Sequence, residues 1–288
     1  MTLTAFRLPR AAPVTDADVG GIRHDGAMTD GYDLDFLATR LPLPRPTRPV
    51  RELTYPRFSV LLDPERRLAA VTGVNIDGAT LLDLPRTGEW RLDPRADADE
   101  QTGPEVYARN DLDRGHLVRR RDPGWGAADA ARDAMEATFF YPNAAPQAAG
   151  FNQSKDLWLG LEDHVIAYAE TTDQRLSVFT APVLADDDPP YRGIRVPLRF
   201  WKVVAWQSVD GLAAAGFVLD QSELVDTADG LLAAPPLGAF RTFQVPVSEI
   251  DELSGVDLGA LVAADVLHRR ATRTTEWVPL RSTHDIIV

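Results

Sequence analysis

Two apolar runs joined by one tight turn set the first constraint on the fold. Phe58, Val60 and Leu62 alternate with their neighbours, Asp63-Pro64-Glu65-Arg66 has turn composition, and Leu68 to Ile76 forms a second apolar run. Period-two alternation sends side chains to opposite faces of a strand. The pair therefore predicts a β-hairpin of a central sheet. Leu176 to Val183, Phe200 to Trp206 and Leu212 to Leu219 are rich in Val, Phe and Trp and lie between Asp, Pro and Gly clusters, so they extend that sheet. Helical composition marks Ala127 to Thr138. Leu157, Leu161, Val165 and Tyr168 form one apolar stripe of a longer helix, with Ser154 or Asp156 as its N-cap. Two further helices are predicted at Ser248 to Leu253 and Leu258 to Val266. The fold class expected is α+β, a central antiparallel sheet flanked by helices.

The chain has 288 residues, of which 44% are hydrophobic, enough for a substantial core. Residues 1–50 are Pro-containing and read as an extended arm on a single domain of residues 51–288; Leu41-Pro42-Leu43-Pro44-Arg45-Pro46 has polyproline character. No run reaches the ~18 apolar residues of a membrane span, and the first thirty residues lack a basic stretch followed by an apolar one. The expectation is a protein without membrane contact, cytoplasmic unless exported by a non-classical route. With no cysteine, disulfides and thiolate metal sites are excluded. A net charge of −13 argues against a protein that coats nucleic acid through long-range attraction. Against that background Arg114, Arg119, Arg120 and Arg121 gather positive charge locally. Arg119, Arg120 and Arg121 are candidates for nucleic-acid binding, the alternative being a solvated charged face.

Breaking a phosphodiester needs a deprotonated water, stabilisation of charge on the phosphoryl oxygens, and neutralisation of the leaving alkoxide. A histidine near its ordinary pKa of ~6.5 takes the proton, an arginine braces a non-bridging oxygen, and a hard cation holds phosphate and leaving oxygen. The segment Asp113-Arg114-Gly115-His116 carries two of these groups. His116 and Arg114 are two apart, so an extended backbone puts them on one face. Gly115 between them leaves room for a phosphate to approach.

Asp113-Arg114-Gly115-His116 resembles the DRGH signature of the DNA/RNA non-specific endonucleases, the ββα-metal (His-Me finger) nucleases that include endonuclease G-like proteins. Asn143-Ala144-Ala145-Pro146-Gln147 is similar to the family's N-x-x-P-Q element, and Phe151-Asn152-Gln153 with Trp158 and Leu161-Glu162 is similar to its helix motif. The likeness runs roughly from Gly31 to Val266. It implies a ββα-metal element in which a hairpin presents Arg114 and His116 and a helix presents Glu162. It implies a Mg²⁺-dependent endonuclease, Mn²⁺ being an alternative, that hydrolyses DNA and RNA without regard to the sugar. His116 is then the general base, Arg114 the phosphate-binding group, Asn143 the residue orienting the hydrated site, Asn152 the direct metal ligand, and Glu162 a ligand through water. Ten residues of helix would separate Asn152 from Glu162 by ~15 Å, so Asn152 is expected in a loop before the helix.

Three departures from the family pattern bear on the site. Glu162 lies ten residues after Asn152, where many members have eight. Thr180-Ala181-Pro182 stands where T-G-P is usual. Some relatives carry an arginine two residues before the Trp of the Trp90-Arg91-Leu92-Asp93-Pro94 stretch; this chain has Gly88, with Arg86 or Arg95 as substitutes. Phe200 and Trp201 are read as core aromatics, Lys202 as structural or groove-lining, His164 as facing away from the site, and Asp186-Asp187-Asp188 as a solvated loop. Two other functions compete: a catalytically silent binding protein on a nuclease fold, and a small-nucleotide phosphodiesterase. Partners expected are DNA and RNA substrates, an inhibitor or activating protein, and a second copy in a homodimer.

Overall fold

The computed structural model describes residues 30–148, 158–225, 241–269, 277–280 and 285–287. In chain order its strands are β1 (Arg45–Pro46), β2 (Arg51–Tyr55), β3 (Phe58–Asp63), β4 (Leu68–Asp77), β5 (Leu112–His116), β6 (Ala144–Ala148), β7 (Arg175–Pro182), β8 (Pro190–Tyr191), β9 (Ile194–Arg195), β10 (Arg199–Ser208), β11 (Gly211–Asp220), β12 (Arg241–Val245), β13 (Val256–Asp257) and β14 (Val278–Pro279). The helices are α1 (Pro104–Tyr107), α2 (Ala128–Ala137), α3 (Trp158–Thr172), α4 (Val247–Ser254), α5 (Ala260–Ala264) and α6 (Val266–Arg269). Among the described residues, eight strands form one antiparallel sheet in the order β14-β12-β11-β10-β7-β4-β3-β2. The α+β class with a large antiparallel sheet is what the sequence predicts.

The β3–β4 hairpin forms because Asp63 caps its own turn: its Oδ1 accepts from the backbone amides of Glu65 and Arg66, both at 2.9 Å. Both strands are buried along their whole length, so both faces of the sheet are covered. Phe58, Val60, Val74 and Ile76 pack on one side with Leu161, Ile166 and Ala169 of α3 and with Ala145 of β6. Leu61, Val71 and Phe179 pack on the other side with Phe36, Leu37 and Leu41 of the N-terminal segment and with Ile250 and Leu261 of α4 and α5. Within the predicted arm, β1 pairs with β13, Arg45 opposite Asp257. Residues 1–29 lie outside the described residues.

Three differences from expectation have local causes. A strand at Arg51–Tyr55 opens the sheet, pairing Leu53 with Val60; its Arg-Glu-Leu-Thr-Tyr sequence lacks the apolar density that marks β3 and β4. Tyr141 to Ala148, where Pro142 and Pro146 predict a break in regular structure, forms a 3₁₀ turn followed by β6. Pro146 is tolerated there because β6 has one ladder partner, β5. In the Asp186-Asp187-Asp188 loop, Asp188 is buried at 2% exposure and holds Arg66 at 2.6 Å, so only its two neighbours are solvated. The helix α3 ends at Asp173, which takes a left-handed φ of 54°, a conformation that Asp adopts more readily than most residues. No described helix is long and apolar enough to cross a membrane.

Candidate active site on the β5–β6 face

Strand β5 lies antiparallel to β6, with Arg114 opposite Pro146, Gly115 opposite Ala145 and His116 opposite Ala144. The alternation along β5 leaves Arg114 exposed and His116 half-buried on one side, and turns Gly115 inward. Gly115 has a different reason from the one its neighbours suggest. A Cβ there would lie 2.1 Å from Cδ of Gln147, a side chain 1% exposed. The space expected for a phosphate is therefore filled by β6, and the glycine lets the two strands pack.

His116 is enclosed by aromatic rings. Its ring centroid is 4.6 Å from that of Trp90 and 5.0 Å from that of Phe139, the latter edge-on, and Trp90 in turn contacts Tyr141 at 5.7 Å. Nε2 of His116 is buried and has no hydrogen-bond partner. Burial disfavours the imidazolium, and the guanidinium groups of Arg86, Arg119 and Arg120 disfavour it further, pushing the pKa of His116 down to about 3. The group is a neutral base in a locally positive environment, on a chain whose net charge is −13.

The remaining candidates are placed as follows. Arg114 extends over the ring of Tyr107, 5.7 Å from its centroid, and forms no ion pair among the described residues. Asn143 is fully buried. Its Oδ1 accepts from the amide of Val118 at 2.9 Å, and its Nδ2 donates to the carbonyls of Val118 and Thr138 at 2.8 and 3.0 Å. Its carbonyl accepts from the amide of Leu117 at 3.0 Å. Asn143 thus clamps the two residues after His116 to the end of α2, and its side chain is committed to backbone. Asn152 and the expected N-cap residues Ser154 and Asp156 lie outside the described residues.

Glu162 projects from α3 into a buried charge cluster. Oε2 meets Nε of Arg119 at 3.2 Å and Oε1 meets Nζ of Lys202 at 3.3 Å; Lys202 also donates to Oγ1 of Thr180 at 3.0 Å. Asp122 lies in the same field, where burial pushes its carboxyl up to about 6 despite the opposing pull of Lys202 and Arg119. The basic run is likewise engaged: Arg119 also meets Asp163 at 2.9 Å, Arg121 meets Glu170 at 2.5 Å, and Arg120 lies 3.9 Å from Asp83. Arg119, Arg120 and Arg121, expected to face nucleic acid, are each matched by a carboxylate within the protein.

Of the two arginines offered as substitutes for the one missing at position 88, Arg95 is bound bidentately to buried Asp93 and stacks on Tyr55. Arg86 is exposed, forms no ion pair among the described residues, and lies 5.1 Å over the ring of Phe139, the ring whose edge meets His116. Sequence alone did not place Trp90 and Phe139 on His116, nor Lys202 on Glu162. No periodicity signals a contact between a loop residue and a strand residue. His164 lines a small apolar cleft with Tyr168 and Trp206, and Phe200 and Trp201 are fully buried.

Among the described residues, no three His, Cys, Asp or Glu side chains converge to hold a metal ion. Both carboxylate oxygens of Glu162 already face a cation, Oε2 the guanidinium of Arg119 and Oε1 the ammonium of Lys202, so a hydrated metal ion held here would share the carboxylate with them.

A model of the family described as DNA/RNA non-specific endonuclease matches residues 42–265. A protein of Sinorhizobium fredii (strain NBRC 101917 / NGR234), described as uncharacterized protein y4fB, is 38% identical over 256 residues. That match takes in 79% of this chain and 38% of the relative, so the chain spans well under half of the relative's length. A chain from the crystal structure of the EndoG/EndoGI complex, which concerns the mechanism of EndoG inhibition, superposes with a TM-score of 0.54 at 20% identity. It covers 71% of this chain and 84% of its own, and at that identity the likeness is one of fold.

Proposed function

The chain belongs to the DNA/RNA non-specific endonuclease family, and from that premise we propose that it is a metal-dependent endonuclease that hydrolyses DNA and RNA with His116 as general base. The observation that carries this is the setting of His116: its ring is packed between Trp90 and Phe139, its Nε2 is buried without a partner, burial keeps it neutral, and exposed Arg114 lies on the same side of β5 to attract a phosphodiester. With Nε2 buried, Nδ1 is the nitrogen offered to a reacting water. A water proton passes to Nδ1, the water oxygen bonds to phosphorus, and the P–O bond to the leaving sugar oxygen breaks as that oxygen takes a proton from solvent. Arg114, exposed on the same side of β5, braces a non-bridging oxygen. No 2′-hydroxyl takes part, and phosphate contacts carry no base information, which supports cleavage of both polymers. Asn143 acts through His116 as a positioning residue. Mg²⁺, with Mn²⁺ as a substitute, would be held by Asn152 and, through water, by Glu162, and would supply charge stabilisation at the phosphate and leaving oxygen.

The EndoG/EndoGI complex supports a search for an inhibitor of this chain as well; a homodimer is a further proposal that gel filtration decides. The catalytic proposal is tested by digesting supercoiled plasmid and single-stranded RNA with Mg²⁺ or EDTA, beside the His116→Ala variant. Metal-dependent cleavage of both polymers, lost in the variant, is the expected result. Equal inertness of both proteins under Mg²⁺ and Mn²⁺ would favour a binding role.

A further inference from the structure

The arginines singled out by their adjacency, Arg119 to Arg121, are ion-paired. Exposed guanidinium groups without carboxylate partners lie elsewhere, and two of them share a cleft. The β8–β9 hairpin forms one wall of a cleft of ≈ 500 Å³ lined by Arg66, Arg192 and Arg195, with Glu65 as the one carboxylate in the lining. Arg192 and Arg195 are exposed and make no ion pair among the described residues. Both are held in place by backbone: Nη1 of Arg192 donates to the carbonyls of Glu105 and Ala108 at 2.9 and 2.6 Å, and Nη1 of Arg195 donates to that of Asp188 at 3.0 Å. Arg66 is fixed by Asp188, and its Nε is buried without an acceptor. Guanidinium groups anchored in this way are ordered before a ligand arrives, which lowers the entropic cost of binding, and their geometry suits phosphate.

The hairpin is tied to the strand that carries the site. Tyr191, Ile194 and Val196 pack with Tyr107 and Leu112, and Nδ2 of Asn110 donates to the hydroxyl of Tyr191 at 3.0 Å. From Asn110 to His116 is six residues of near-extended chain, at most ~20 Å at ~3.3 Å per residue. Successive phosphates of a single strand lie about 6–7 Å apart, about twice the ~3.4 Å axial rise of a duplex, so that span corresponds to about three phosphates.

We propose that the cleft of Arg66, Arg192 and Arg195 is a second phosphate-binding site, holding the substrate backbone several nucleotides from the bond being cut. The proposal rests on the nuclease function above. It makes affinity depend on polymer length: a strand too short to reach from His116 to the cleft gains nothing from it. Glu65 opposes an anion there and sets the affinity below what three arginines alone would give.

The test uses the full chain carrying His116→Ala, with fluorescence anisotropy of labelled single strands of about 30 and about two nucleotides across a salt series. Arg195→Gln and Arg192→Gln should each weaken binding of the long strand about tenfold and lower its log-log salt slope by about 0.7, while leaving the short strand unchanged. Glu65→Gln should tighten the long strand. Thermal midpoints identify any variant that fails to fold. Arg195, whose side chain makes a single backbone bond, decides the matter should Arg192→Gln unfold the hairpin. Unchanged affinity and slope in Arg195→Gln, with Arg114→Ala still weakening both strands, would overturn the cleft alone. Binding of neither strand by the parent protein would overturn the nuclease reading with it.

Discussion

Replacing Lys202 by Met tests how the buried charges under the candidate site are balanced. Lys202 is 2% exposed, and its ammonium lies 3.3 Å from Glu162, whose side chain is 8% exposed. Removing one partner of a buried pair typically costs ~3–5 kcal/mol because the other charge is left uncompensated. Here Glu162 keeps Arg119 at 3.2 Å, but that side chain is 22% exposed and partly screened by water. The loss should therefore fall near the lower bound, ~3 kcal/mol. Methionine approximates the volume of lysine, so little of this is cavity formation. With a urea dependence of ~3 kcal/mol per molar for a chain of this size, the unfolding midpoint should drop by ~1 M. Adding Glu162→Leu should restore part of the loss, since it removes the carboxylate that Lys202 paired while Arg119 keeps Asp163. A midpoint shift below ~0.3 M, or strictly additive effects of the two changes, would refute the reasoning.

Three further outcomes are expected. Because folding lowers the pKa of His116 from 6.5 to about 3, its neutral form persists well into acid. The acid limb of kcat/KM should lie below pH 6.5, and Arg86→Ala should move it upward by removing a guanidinium that disfavours the imidazolium. The sign for stability follows from the same shift: the contribution of His116 is complete above pH 6.5 and is lost as pH falls from 6.5 toward 3, which denaturation midpoints across that range will show. Gly115→Ala should cost ~1–3 kcal/mol and abolish activity, because the added Cβ meets Gln147 at 2.1 Å and forces β5 away from β6; wild-type thermal stability in that variant would contradict the packing described here.

Those effects separate what the sequence could disclose from what it could not. The strands of the sheet core and the helices α2 and α3 were legible because their apolar periodicity reflects burial against a continuous layer. Strand β2 escaped notice: only Leu53 and Tyr55 of its five residues are buried, so it lacks an apolar run. The Arg-Gly-His triplet marked the strand of the candidate site, and strand geometry alone put Arg114 and His116 on one side. The partners of each charge were not legible. Nothing local distinguishes Arg121, ion-paired across 49 residues of chain to Glu170, from Arg86, which is exposed and forms no ion pair among the described residues. Charge density along a sequence counts ionic groups but carries no record of how the fold pairs them.

Trp90 covers His116 from a segment that belongs neither to the β5–β6 pair nor to α3. The imidazole and its roof are therefore contributed by separate parts of the chain. A graft of the β5–β6–α3 unit onto another scaffold would carry His116 without its shelter, leaving the imidazole hydrated and titrating near neutrality. Conversely, redesign of residues 82–92 offers a way to retune the acid tolerance of the candidate site while leaving β5 and its sheet untouched.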